Sequence, residues 1–171
     1  TTWRINFLMM PSMMPIDLAR NISEVTRRIR AAEIAAGREQ SSVSLLAVSK
    51  TKPPELIRLA HAHGQTAFGE NYAQELIKKR DILENLDEEK NYRWHFIGNL
   101  QRNKVRKLSS SVFMWQSTDS FALGEEIAKR CISPKLLLQV NMTGAETQGG
   151  IPPSQVPSLI EKIEGIGIDV E

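Results

Sequence analysis

A short apolar run followed by a helical stretch, returning every ~20–25 residues, constrains the fold of this chain more than any other feature. "SLLAVSK" reads as a strand, and "PPELIRLAHAHG" as a helix entered through Pro53 and Pro54 and left through Gly64. "TAFGENY" is a second strand, and "AQELIKKRDILENL" an amphipathic helix with Leu76, Ile77, Leu83 and Leu86 inward. "YRWHFIGNL" and "QRNKVRKL" repeat the unit. "SVFMWQSTD" and "SFALGEEIAKRC", capped by Asp119 or Ser120, repeat it again. "PKLLLQVN" and "PPSQVPSLIEKIEG" form a fifth unit, and "IGIDVE" begins a sixth strand. Ahead of these a helix is expected from about Ile16 to Ala36. Ile22, Val25, Ile29 and Ala32 lie on its inner face, Arg27, Arg28 and Arg30 are turned away, and Gly37 is its stop.

Strands alternating with helices make parallel sheets, and short continuous apolar strands suit a sheet covered on both faces. An open doubly wound sheet and a closed barrel compete. No G-x-G-x-x-G loop follows a strand, which weakens the dinucleotide-binding version. The expected class is α/β, a TIM-type (β/α) barrel incomplete at its C-terminal side. Residues 1–15 are expected to form a poorly ordered extension and 16–171 a partial barrel domain.

In such a barrel, functional residues gather where strands end. The first strand end carries Ser49, Lys50 and Lys52, and the second Glu70, Asn71 and Tyr72. The third strand contains His95 and is followed by Gly98, Asn99 and Gln101. The fourth ends in Ser117, Thr118 and Asp119, and the fifth in Gln139 and Asn141. Each residue has a plain reading beside the chemical one. Lys50 is either a solvated surface lysine or an amine exposed at a barrel mouth. A free lysine has a pKa of ~10.4, and apolar walls would disfavour the ammonium and free the lone pair for an aldehyde. His95, between Trp94 and Phe96, is either a packed strand histidine or a pocket residue. Asn71 either closes a turn or lines a site.

Bulk properties narrow the partners. With 171 residues the chain can build one ordinary core. A formal net charge of +2 is too small to argue for nucleic acid or an anionic membrane surface as a partner. "QRNKVRK" therefore reads as a solvated helix face rather than a phosphate patch. Cys131 is the single cysteine, so no intrachain disulfide forms, and a cytoplasmic setting is expected. No apolar run is long enough to span a bilayer.

"LLAVSKTKP", "FGENYAQE", "WHFIGNLQRNK" and "LLLQVNMTG", in this order, resemble the pyridoxal 5'-phosphate (PLP) homeostasis proteins, PLP-binding proteins of the alanine racemase N-terminal barrel type. The resemblance runs from about Ile16 to the C-terminus. It implies a barrel that holds PLP as a Schiff base on Lys50. Asn71, His95 and Gly98 would line the cofactor pocket, and Asn141 matches the fifth strand end. It implies no metal and no catalytic turnover; the protein would serve PLP (vitamin B6) homeostasis. Expected partners are PLP itself, with amino acids or PLP-dependent apoenzymes beyond it, and the expected state is a monomer.

Two departures stand out. The family runs some sixty residues further, where a phosphate cradle is expected, so weak PLP retention is the expectation for residues 1–171. Gln148 stands where the family commonly has lysine. An amino-acid racemase is the alternative. It would need acid–base groups on both faces of the substrate carbon, and only Tyr72 and Tyr92 are tyrosines here. A Schiff-base aldolase and a nucleic-acid or protein-binding module rank below it.

Overall fold

The structure, a computed structural model, describes residues 15–86 and 91–171. Five strands alternate with helices: β1 (Ala47–Val48), β2 (Ala67–Glu70), β3 (Arg93–Phe96), β4 (Val112–Thr118) and β5 (Lys135–Leu138). The helices are α1 (Pro15–Ala35), α2 (Pro54–Ala62), α3 (Ala73–Leu86), α4 (Arg102–Leu108), α5 (Phe121–Arg130) and α6 (Val156–Glu164), the last preceded by a 3-10 turn at Pro153–Gln155. All pairings are parallel and the spatial order is β1-β2-β3-β4-β5. A doubly wound sheet reverses its order at a switch point. Strictly consecutive order is that of a barrel wall, here an arc of five strands. A sixth segment adds one parallel bridge, Leu136 to Val170, where the sixth strand was expected to begin.

The register sorts the side chains into two faces. Phe68 lies level with Trp94, and Phe96 with Trp115 and then Leu136. These five are buried, and they form the core with Ile57, Leu76, Leu83, Val105, Leu108, Leu123, Ile127 and Ile163 from the helices. Each fully buried side chain of this size contributes about 1.5–3 kcal/mol. Each helix packs against the next, from α1–α2 through α5–α6, as short β–α–β connections require. On the opposite face Val48, Gly69, His95, Met114 and Lys135 lie level across all five strands.

Helix limits follow local chemistry. Pro54 opens α2 with its φ already helical, and Gly64 leaves it at φ 87, a left-handed value that costs glycine little. Gly37, at φ 64, ends α1 as expected. Ser120 is the residue before α5, but its side chain makes no cap hydrogen bond.

Several expectations need correction. Leu86 is 54% exposed rather than inward, being the last residue of α3. On α1, Leu18 and Ile22 pack on the core, whereas Val25 and Ala32 are exposed. Arg30 is not turned away. It bonds Glu33 and the Val43 carbonyl, and Glu33 also accepts the Ser41 and Val43 amides. The Arg30 guanidinium beside it, with those amides, holds the Glu33 carboxyl at about 2. The extension expected over 1–15 lies outside the described residues except for Pro15, which already belongs to α1.

Candidate functional site

The end of β1 is a gripped turn. Ser49 accepts the Lys52 amide hydrogen bond (3.0 Å), closing a four-residue turn with Lys50 and Thr51 at its centre. Thr51 has φ 63. For a β-branched residue this is a strained, left-handed conformation, which persists only where its surroundings enforce it. Two side chains of α3 do so. Lys79 Nζ donates to the Ser49 carbonyl (2.7 Å), and Glu75 Oε1 accepts the Thr51 N–H (2.6 Å).

Those two side chains belong to a buried network. Lys79 is 4% exposed and also donates to Glu70 Oε1 (2.7 Å) and Glu75 Oε1 (2.6 Å). Glu70 is fully buried and accepts the Ser49 hydroxyl at 2.6 Å. Lysine and glutamate are almost never this buried unless paired. Ser49 is thus drawn to the helix side of the sheet, and Lys50, next along, is exposed.

Asn71 follows Glu70 directly. Its Oδ1 is buried and has no hydrogen-bond partner among the described residues, an uncommon condition for a side-chain acceptor. A Cβ on Gly98 would lie 2.1 Å from the Asn71 carbonyl oxygen and 2.6 Å from its Cα. Only glycine lets these two backbones approach so closely. The Gly98 carbonyl in turn accepts the Ser117 hydroxyl. Beside this contact lies a cavity of about 410 Å³, lined by Asn71, Tyr72, Gln74, Asn99, Gln101 and Lys104 among others. Lys50 is not on its wall.

His95 is buried in the middle of the sheet face away from the helices. Its ring sits 5.4 Å from that of Phe113, and the Gln116 side-chain amide donates to its Nδ1 at 2.8 Å. Burial, and then the nearby Arg93, push its pKa down, and the neutral ring with the proton on Nε2 is the form that accepts from Gln116. Asn141 is committed to its own loop. Its Nδ2 donates to the Ala145 and Gln148 carbonyls, and its Oδ1 accepts from the Thr143 and Gly144 amides and the Thr143 hydroxyl. Gln148 Oε1 accepts the same hydroxyl. On α4, Arg102, Arg106 and Lys107 are exposed and Val105 and Leu108 buried, the solvated helix face expected of "QRNKVRK".

The structure therefore joins Asn71 to Gly98 by direct contact and ties the Lys50 turn to Asn71's neighbour Glu70. Sequence reading passed over Lys79, Glu75 and Thr51. A signal for Lys79 was present: it falls on the buried stripe Leu76–Lys79–Leu83 at helical spacing, where a lysine needs a partner. Among the described residues, no group of His, Cys, Asp and Glu could hold a metal ion, and no helix is long and apolar enough to cross a membrane.

No family model matches the chain. It is 32% identical to a protein of unknown function from Bifidobacterium adolescentis, whose crystal structure it matches with a TM-score of 0.82 over 95% of this chain and 70% of that one. It is 31% identical to PipY of Synechococcus elongatus in the structure without PLP, with a TM-score of 0.75 over 90% of this chain and 68% of that one. Its curated relatives carry the family's descriptive name. The pyridoxal phosphate homeostasis protein of Aquifex aeolicus is 41% identical over 85% of this chain and 64% of its own length, and that of Pseudomonas aeruginosa 40% identical over 86% and 64%. The chain belongs to the pyridoxal phosphate homeostasis protein family. It spans just under two thirds of the length of these curated relatives. PipY has also been solved with PLP bound; that structure is 34% identical, with a TM-score of 0.66 over 84% of this chain and 64% of that one. Alanine racemase of Corynebacterium glutamicum, 13% identical with a TM-score of 0.63, shares the barrel fold of the family.

Proposed function

We propose that this chain binds pyridoxal 5'-phosphate through Lys50 and serves PLP homeostasis as a carrier rather than as a catalyst. The observation that carries this reading is the presentation of Lys50: exposed, on a strained turn gripped on both sides, at the C-terminal end of the first strand of a barrel arc. The residues present fit the aldehyde end of the group. When bound, PLP supplies an aldehyde carbon with which an amine condenses, releasing water. Lys50 provides the amine. Asn71 offers a buried acceptor with no donor on it among the described residues, and Gly98 holds Asn71 in place by the closeness of its backbone. His95 contributes a neutral wall residue, and Asn141 shapes the loop after β5. Amino acids or PLP-dependent apoenzymes are the recipients in this reading, with a cytoplasmic monomer as the working form.

The test is spectroscopic and covalent. PLP added to the purified chain should give the visible absorbance of an imine, and borohydride should fix the cofactor to Lys50 in a peptide map. Lys50→Ala should show neither. An unchanged spectrum in Lys50→Ala would assign the cofactor to another group.

A further inference from the structure

We infer that Lys79 and Glu75 are positioning residues, which hold the Ser49–Lys52 turn in the conformation that presents the Lys50 amine to an aldehyde. The inference rests on the reading of Lys50 given above and adds the residues through which that lysine is set. Lys50 is joined to the chain by two peptide groups, and α3 grips both. The carbonyl on its N-terminal side, that of Ser49, accepts from Lys79 Nζ at 2.7 Å. The amide on its C-terminal side, that of Thr51, donates to Glu75 Oε1 at 2.6 Å. Lys79 and Glu75 are themselves paired at 2.6 Å, one helical turn apart, so the two grips form one rigid clamp. Glu70 and the Ser49 hydroxyl anchor the clamp to β1 and β2.

The strain identifies what the clamp does. Thr51 at φ 63 lies where a β-branched residue rarely rests, and a free loop would relax out of it. Relaxation would rotate the peptide groups on either side of Lys50 and swing its side chain. A structural ion pair has no need of a strained neighbour. A clamp that fixes the direction of one amine does, because condensation demands an oriented approach to the carbonyl carbon.

The test follows the clamp and the amine separately in the full chain. Thr51 amide exchange with deuterated solvent reports the clamp without any cofactor. Trapping with PLP and borohydride reports the amine. Lys50 Nζ forms a bond to the aldehyde carbon, the aldehyde oxygen leaves as water with the two amine protons, and hydride reduces the C=N carbon while solvent protonates nitrogen. The yield at Lys50 is read against exposed Lys107 in the same digest. In Lys79→Met and Glu75→Ala, Thr51 exchange should rise, and the Lys50-to-Lys107 ratio fall, roughly tenfold or more, the weight of one charge-assisted hydrogen bond. Glu75→Gln keeps an oxygen for both donors and should stay near the parent in both readouts. Should Lys79→Met fail to fold, Glu75→Ala carries the test, since the Glu75 side chain is 24% exposed and tolerates truncation better. Folded variants that trap PLP at Lys50 in the parental ratio would overturn the inference. A parent chain that favours Lys50 no more than Lys107 would instead sink the Lys50 reading itself, and the clamp's role with it.

Discussion

Gly98→Ala puts the close approach of two strand-end loops under direct test. The added Cβ would stand 2.1 Å from the Asn71 carbonyl oxygen, 2.6 Å from its Cα and 2.7 Å from its carbonyl carbon. These contacts fall ~0.8–1.4 Å inside the roughly 3.5 Å at which such atoms attract. Overpacking costs about 1–3 kcal/mol where side chains can move aside, and here every clashing atom is main chain, which places the cost at about 3 kcal/mol. For a domain of this size that corresponds to a fall in Tm of roughly 6–12 °C. Gly64→Ala is the comparison. Its Cβ meets nothing within 4 Å, and only the left-handed φ of 87 opposes it, so a cost of about 1–2 kcal/mol is expected. Thermal unfolding followed by far-UV circular dichroism, with calorimetry, separates the two. Gly98→Ala should also weaken PLP retention, because the displaced atoms belong to Asn71. A Gly98→Ala chain that melts with the parent, or above Gly64→Ala, would refute the packing argument.

Three further outcomes follow from the site and its supports. His95 has a lowered pKa in the fold, so the unfolded chain binds more protons below its ordinary value of ~6.5. The contribution is therefore complete above that pH and is lost as the pH falls toward the folded value. Denaturant unfolding of His95→Gln across this window should show a flatter pH dependence than the parent. Glu33, held at about 2 by Arg30 and two amides, contributes stability above the ordinary glutamate value that is lost as pH falls through about 2. Glu33→Gln should lower the parent's stability near neutrality and remove that acid limb. Asn141→Ala deletes five hydrogen bonds within the loop after β5, and should raise proteolysis and amide exchange over residues 141–150 while the sheet remains protected.

The strand–helix alternation was readable because each unit carries its own punctuation. Pro54 opens α2 and Gly64 leaves it, and Gly37 ends α1, local effects that need no tertiary context. Strand lengths were not readable. Only Ala47 and Val48 of "SLLAVSK" pair with β2 as a strand, because the segment then turns at Ser49 and its carbonyl is taken by Lys79. Lys50 and Asn71 were legible as strand-end residues. The Asn71–Gly98 contact was not, since it arises only when β2 and β3 lie side by side. The loop role of Asn141 had a signal that went unused: asparagine with glycine three residues on, in "NMTG", is turn chemistry. Lys79 was passed over because lysine on a helix is read as solvated, although its place in the apolar stripe contradicted that.

The buried network raises an energetic question whose answer is itself a prediction. Taking Lys79 and Glu70 out of water costs several kcal/mol per ion, and their attraction repays this only with good geometry and further hydrogen bonds. In other proteins, a well-packed apolar replacement of such a set is neutral or stabilising by about 1–4 kcal/mol, whereas removing one partner costs about 3–5 kcal/mol. Lys79→Met alone should therefore destabilise the chain, by leaving Glu70 buried without its cation. Adding Glu70→Leu and Ser49→Ala should recover most or all of that loss. The trapping of PLP at Lys50 should not recover, because the Ser49 carbonyl is still without its lysine and Thr51 has lost half of its clamp. Stability and presentation of the amine would then part company in one variant series. If the triple variant regains both, the network serves packing alone. If it regains the first without the second, a costly set of buried charges is explained by the direction in which it holds one exposed lysine.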